Sequence, residues 1–297
     1  MSDINTLHHI GLIGHDLSLL SLAYERLGFT LTPVSLPRIP LEPDGAPQPL
    51  GAGNRCAIFA GNYLELLGVV DAARWQSITV GQRGAFDLDA PLRRYEGLHV
   101  LHLGTQDIEA VRARLLGAGL QPSPIHPFQR PVDTPDGPQI MRAKTMSFAA
   151  GTMPEALFQI AQHETPELVL QPRHMTHRNG ARGINDIILC VEDAVAVADR
   201  YALVAGKPVT REGKVLMIDL GLARMLVTDR QSLGQLLPTA VAPVLPFLAG
   251  FSVAADIEMA RRHFGESGII YEDHGASLIV GPGQCGGTSI RFEEATR

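Results

Sequence analysis

The chain has 297 residues, 45% of them apolar and 19% charged, and 25 Lys and Arg against 31 Asp and Glu leave a formal net charge of −6. That is enough apolar chain for two domains or one large repeated one, and a mildly acidic balance without a Lys/Arg stripe interleaved with aromatics speaks against nucleic acid as a partner. No apolar run reaches the roughly 20 residues of a membrane-spanning helix, and Met1-Ser2-Asp3-Ile4-Asn5 has neither a basic region nor an apolar signal core, so no membrane role and a cytoplasmic location are expected.

In chain order, one pattern recurs four times, and a repeat decides the architecture before any single element does. The run from His9 to Asp16 is short and apolar, ends in an aspartate, and leads into Leu17, Leu20, Tyr24 and Leu27 at helical spacing, then Gly28. Asp16 suits a helix N-cap and Gly28 a C-terminal stop. The same punctuation returns with Asp107, Ile108, Val111, Leu115 and Gly119, then with Asp193, Val197, Tyr201 and Gly206, and again with Asp256, Ile257, Met259, Phe264 and Gly268. Apolar and β-branched segments follow each glycine: residues 29–34, 54–60 and 63–69, then 140–149 and 156–161, then 214–219 and 223–228, and finally 269–272, 276–280 and 288–292. They predict strands that complete four βαβββ modules of an α+β fold. In the first two copies a Pro-rich loop, residues 33–53 and 122–139, separates the second strand from the third. Loops of that length are either surface insertions or a substrate lid.

Three widely separated cysteines, Cys56, Cys190 and Cys285, form neither a disulfide framework nor a zinc-type pair and read as reduced and buried. Gly281-Pro-Gly-Gln-Cys-Gly-Gly287 follows a strand but opens no helix, which argues against a phosphate loop. There is no Gly-x-Ser-x-Gly elbow. The run His174-Met-Thr-His177-Arg178 reads as a solvated loop.

Leu7-His8-His9-Ile10-Gly11-Leu12 ahead of Asp16, and Tyr63-Leu64-Glu65-Leu66-Leu67 closing the first unit, resemble the first-strand His and last-strand Glu of the vicinal oxygen chelate (glyoxalase/extradiol dioxygenase) superfamily. Gln162-His163-Glu164-Thr165-Pro166-Glu167-Leu168 is similar to a segment of glyoxalase-like members of it. The resemblance implies that the modules pair into two half-barrel cups, with a divalent metal held on the inner face by first-strand and last-strand residues while substrate oxygens fill the open positions. It implies an N-terminal glyoxalase-like domain over 1–165 with the metal cup, a linker over 166–183, and a degenerate C-terminal glyoxalase-like domain over 184–297.

Imidazole nitrogen with carboxylate oxygen suits Fe, Mn, Ni or Zn, and such a metal polarises a bound carbonyl or enolate oxygen. His9 and Glu65 are the first candidates; Glu65 lies in an otherwise apolar strand, where an unpaired carboxylate is costly to bury. For a third ligand, the position equivalent to His9 in the second copy is Val100, and His102, two residues on, shares its face. His99 points the other way unless the register slips. His163 shares a face with Gln159 and Ala161 and is a further ligand candidate. In copies three and four Asp186 and Ala249 replace His9, and Leu226 and Arg291 replace the Glu, so no metal is expected there and that half reads as a structural duplicate or a pocket wall.

The leading expectation is a metal-dependent lyase or isomerase acting on a small oxygen-bearing substrate, with Glu65 or His163 moving the proton. An Fe(II) extradiol-type ring-cleaving dioxygenase is the alternative, requiring two His and one carboxylate. A metal-free binding or sequestering protein is the third. The expected state is a monomer or homodimer, since four modules close two cups without a partner.

Overall fold

The computed structural model describes residues 4–295; the first three residues, part of the start read for a leader, and the last two lie outside the described residues. The first unit runs β1 (Ile4–Gly14), α1 (Leu17–Arg26), a two-strand hairpin β2 (Arg38–Ile39) and β3 (Gln48–Pro49), then β4 (Ala52–Ile58) and β5 (Tyr63–Val69). A helical connector follows, α2 (Ala72–Ser77), α3 (Val80–Arg83) and α4 (Asp89–Leu92). The second unit is β6 (Gly97–Thr105), α5 (Ile108–Gly117), β7 (His126–Val132), β8 (Gln139–Ser147) and β9 (Leu157–His163). The third is β10 (Ala181–Cys190), α6 (Ala194–Ala205), β11 (Val209–Glu212), β12 (Val215–Asp219) and β13 (Arg224–Thr228), followed by the short α7 (Leu233–Leu236). The fourth is β14 (Phe247–Ala255), α8 (Ile257–Ser267), β15 (Glu272–Asp273), β16 (Ser277–Val280) and β17 (Ser289–Glu294).

All four repeated aspartates cap their helices, each carboxylate accepting from backbone N–H groups of the first turn. Gly206 and Gly268 close α6 and α8 in the left-handed conformation. In every unit the opening strand pairs in parallel with the closing one, as β1 with β5 and β10 with β13, and the closing strand pairs antiparallel with its predecessor. Units are joined through their opening strands, β1 with β6 and β10 with β14, antiparallel in both cases.

Sequence expectations change at several places, among them residues 269–271, which form no strand ahead of β15. Residues 29–34 form no regular strand; Thr32 and Ser35 only bridge to β4. Residues 122–139, read as loop, contain β7 despite Pro127 and Pro131. The strand tolerates them because it is an edge, paired only with β8, where a missing N–H breaks no second ladder.

Side chains from β4 (Cys56, Ile58) and from β8 (Met141, Ala143) share one buried cluster, although β5, β1, β6 and β9 lie between those strands in sheet order. The sheet therefore curls into a cup. One end is filled by the connector, whose Trp75, Ile78 and Leu88 pack on Ile13, Ala52 and Val100. The other is crossed by residues 166–175, where Val169 sits against Cys56 and Met141. In the second half, Leu233 and Leu237 of the α7 region fill the matching end against Leu226 and Ile188.

The outer faces and the four long helices form one core spanning both halves, including Tyr24, Tyr201, Phe251, Phe264 and Phe292. Polar clasps reinforce it. Arg26 caps the end of α8 through Ser267 O and Gly268 O, and Arg114 caps α6 through Leu203 O and Val204 O. His177, from the run read as a solvated loop, is buried instead: its Nδ1 accepts from Thr30 N and its Nε2 donates to Ile58 O. Its burial is what two complementary backbone partners permit for a neutral imidazole.

Candidate metal centre in the first cup

Strand β1 would place successive side chains on opposite faces, yet His8 and His9 both reach the cup. The register explains it: Leu7 pairs with Leu103 and His9 with His102, so His8 is an extra residue opposite none, a β-bulge. Their Nδ1 atoms are 2.7 Å apart. Neutral imidazole carries one N–H, so this contact is a single N–H···N hydrogen bond between two uncharged rings. A second slip, between Gly11 and Leu12, makes His99 the extra residue of β6. His99 turns away from the cup, donating from Nε2 to Tyr95 O and stacking on the Tyr95 ring. Val100, the motif equivalent of His9, therefore lies opposite Gly11, and His102 lies opposite His9.

The cup floor holds His9, His102 and Glu65 together. The His9 and His102 ring centroids are 4.1 Å apart, and Tyr63 stacks on His9 at 4.5 Å. His9 Nε2 lies 3.7 Å from Glu65 Oε2, while Asn54 Nδ2 donates to Glu65 Oε1. His163, from the end of β9, packs its ring against His8 at 4.3 Å. It thus enters the cluster by way of His8, which the alternation rule had hidden together with the supporting Tyr63 and Asn54.

Burial dominates the electrostatics. It lowers the His8 and His9 pKa values well below the usual imidazole range, with the neighbouring histidines adding to the effect. His102 is pushed down to about 3 by burial, and His163 to about 4 by burial and then by the Arg130 charge. Glu65 moves the opposite way: burial raises its carboxyl, opposed by the Asn54 hydrogen bond and by Arg130. Each shift favours the neutral form. The cup is a set of neutral imidazoles, each with one lone-pair nitrogen, beside a buried carboxyl.

Do these residues fit a divalent cation? The donor types are the mixed nitrogen and oxygen set that such ions take. The 3.7 Å gap between His9 and Glu65 is too long for a hydrogen bond and shorter than two metal–ligand bonds of about 2.1 Å end to end. The buried Nε2 of His8 has no hydrogen-bond partner among the described residues. Among the described residues no three His, Cys, Asp or Glu side chains converge on one metal-binding point. His102 packs against the His9 ring at an interplanar angle of 58°. The residues fit in kind and in the spacing of two donors.

The mixed α+β architecture with its sheet core is the glyoxalase/dioxygenase fold. The chain belongs to the glyoxalase-like domain family, whose profile matches residues 7–204. No curated protein matches the sequence. A hypothetical protein from Staphylococcus aureus superposes with a TM-score of 0.65 at 13% identity, over 97% of this chain and 98% of that one. The Mn(II)-bound glyoxalase from Novosphingobium aromaticivorans gives 0.54 at 12% identity over 100% and 84%. Homoprotocatechuate 2,3-dioxygenase from Arthrobacter globiformis gives 0.52 at 11% over 98% and 80%. These identities speak for the fold alone. No helix among the described residues is long and apolar enough to cross a membrane.

Proposed function

We propose that the chain is a metal-dependent enzyme of the lyase or isomerase type, with His9, Glu65 and His102 of residues 1–165 holding a divalent cation and a small oxygen-bearing substrate completing the site. Residues 166–183 connect it to a second domain, 184–297, that holds no metal in this reading. The observation that carries the reading is the 3.7 Å gap between Nε2 of a neutral His9 and the buried Glu65 carboxyl.

A bound divalent ion supplies Lewis acidity toward substrate oxygens. When His9 donates its Nδ1 hydrogen to His8, the lone pair of His9 stays on Nε2, facing Glu65; His8 thereby fixes the tautomer that can ligate. A Glu65 displaced from the ion would be a better proton acceptor than His163, because burial raises carboxylate basicity and depresses that of imidazole. Tyr63 holds the His9 plane by stacking. Residues 166–175 and the connector restrict water at the two ends of the cup.

A ring-cleaving dioxygenase is the second reading. It is favoured by one observation: the three residues brought together are two His and one carboxylate, the set used by Fe(II) oxygenases. Oxygen uptake with catechols under Fe(II) loading separates the two.

The deciding measurement is metal content by elemental mass spectrometry, on protein purified without chelator. Retention of bound metal by the native chain, and its loss in both His9→Ala and Glu65→Ala with the fold intact by circular dichroism, is the expected result. A native chain without metal affinity that still binds small molecules points instead to a sequestering protein.

A further inference from the structure

Arg130 differs from the other arginines that face the inside of either half. In the second half Arg224 is paired with Asp186, and Arg291 with Glu293. In the connector Arg83 is held by Asp87 and Asp89. Arg130 lies on β7 opposite Met141, and Met141 belongs to the cluster of Cys56, Ile58 and Val169 where the curled edges of the sheet meet. The side chain is half-buried. Among the described residues its guanidinium donates no hydrogen bond and forms no ion pair. Its charge is nonetheless felt inside the cup, at Glu65, Tyr63, Cys56 and His163.

On the metal reading above, the cup that would hold a divalent cation also receives this half-buried guanidinium, which has no partner among the described residues. An unpartnered charge in a partly enclosed site is costlier than in water. An uncharged carbonyl compound would leave Arg130 unpartnered. A ligand with a carboxylate beside its metal-directed oxygens pairs with it, and guanidinium is the side chain whose fork matches a carboxylate in two parallel hydrogen bonds.

We propose that Arg130 is the anion anchor of the first cup and that the substrate class is small carboxylic acids bearing an adjacent oxygen function, such as 2-hydroxy or 2-oxo acids.

The test compares mandelate with its uncharged isostere mandelamide, by calorimetric titration of the full chain, metal-free and Mn(II)-loaded, as native protein, Arg130→Gln and Arg130→Lys. The native chain should prefer the acid by about tenfold or more, Arg130→Gln should bring the two compounds to within about twofold, and Arg130→Lys should restore part of the preference. Mn(II) content should be the same in all three. An unchanged preference in Arg130→Gln, equal affinities in the native chain, or no binding of mandelate would overturn the anchor. Bound Mn(II) without acid preference sinks the anchor and leaves the metal reading standing. An Arg130-dependent preference in a chain that takes up no Mn(II) does the reverse.

Discussion

The two halves place equivalent rows of side chains on equivalent strands. In the first, β5, β1, β6 and β9 align Tyr63, His9, His102 and Gln159; in the second, β13, β10, β14 and β17 align Arg224, Asp186, Ser252 and Arg291. The register slips also coincide, with Asn185 extra in β10 where His8 is extra in β1, and Ala249 extra in β14 where His99 is extra in β6. What differs is how charge is satisfied. Arg224 donates from Nε to Asp186 Oδ1 at 2.6 Å and from Nη2 to Oδ2 at 3.1 Å, and Ser252 donates to the same carboxylate. Leu226 stands where the first half has Glu65. The second row pairs its own cation with its own carboxylate; the first row has none, and the Glu65 carboxyl beside it is paired with no cationic side chain among the described residues. One scaffold thus supports either a closed ion pair or a site open to an added ion.

That contrast can be attacked from either side. The largest effect is expected from Arg224→Met. It leaves buried Asp186 with Ser252 as its one remaining side-chain partner among the described residues, and should cost about 3 kcal/mol, read from the shift in the urea midpoint at constant slope. Metal content should not move. Next comes the bulge pair. His8→Ala removes the hydrogen bond that orients His9 and should weaken Mn(II) binding by about tenfold, whereas Asn185→Ala, its counterpart, should leave Mn(II) affinity at the native value; equal effects of the two would dissolve the distinction.

The smallest effect is a slope. In the metal-free chain His102 and His163 have folded pKa values near 3 and 4, below the roughly 6.5 of an unfolded histidine. Between those values the unfolded chain binds protons that the folded chain refuses. The stability they contribute is complete above about pH 6.5 and is lost as pH falls toward 4 and then 3. The second row has no histidine. His102→Gln should therefore flatten the fall of the urea midpoint between pH 7 and pH 4.5, and an unaltered slope would count against a neutral buried His102.

Much of this was legible in the sequence because it depends on neighbours in the chain. Asp16, Asp107, Asp193 and Asp256 cap helices where their spacing places them, and residues 63–69 form the closing strand with Glu65 on its inner face. His9 contacts both Glu65 and His102, though the three do not converge on one point among the described residues. What escaped reading depends on partners distant in sequence. The bulges exist only once β1 meets β6, so neither the shared face of His8 and His9 nor the direct pairing of His9 with His102 follows from alternation. β7 was hidden by two prolines that only an edge position tolerates. The connector carries no repeat signal, yet its Trp75 and Leu88 fill one end of the cup.

The bulge also separates the backbone from its occupants. The same extra residue occurs in β10, where its occupant is Asn185 and the next is Asp186, so the kink does not need histidine to persist. The imidazoles of the first cup and the ion pair of the second are two fillings of one backbone irregularity. An insertion or deletion of a single residue just before His9 would turn the first set to the wrong face, and one just before Asp186 the second, without touching a functional side chain.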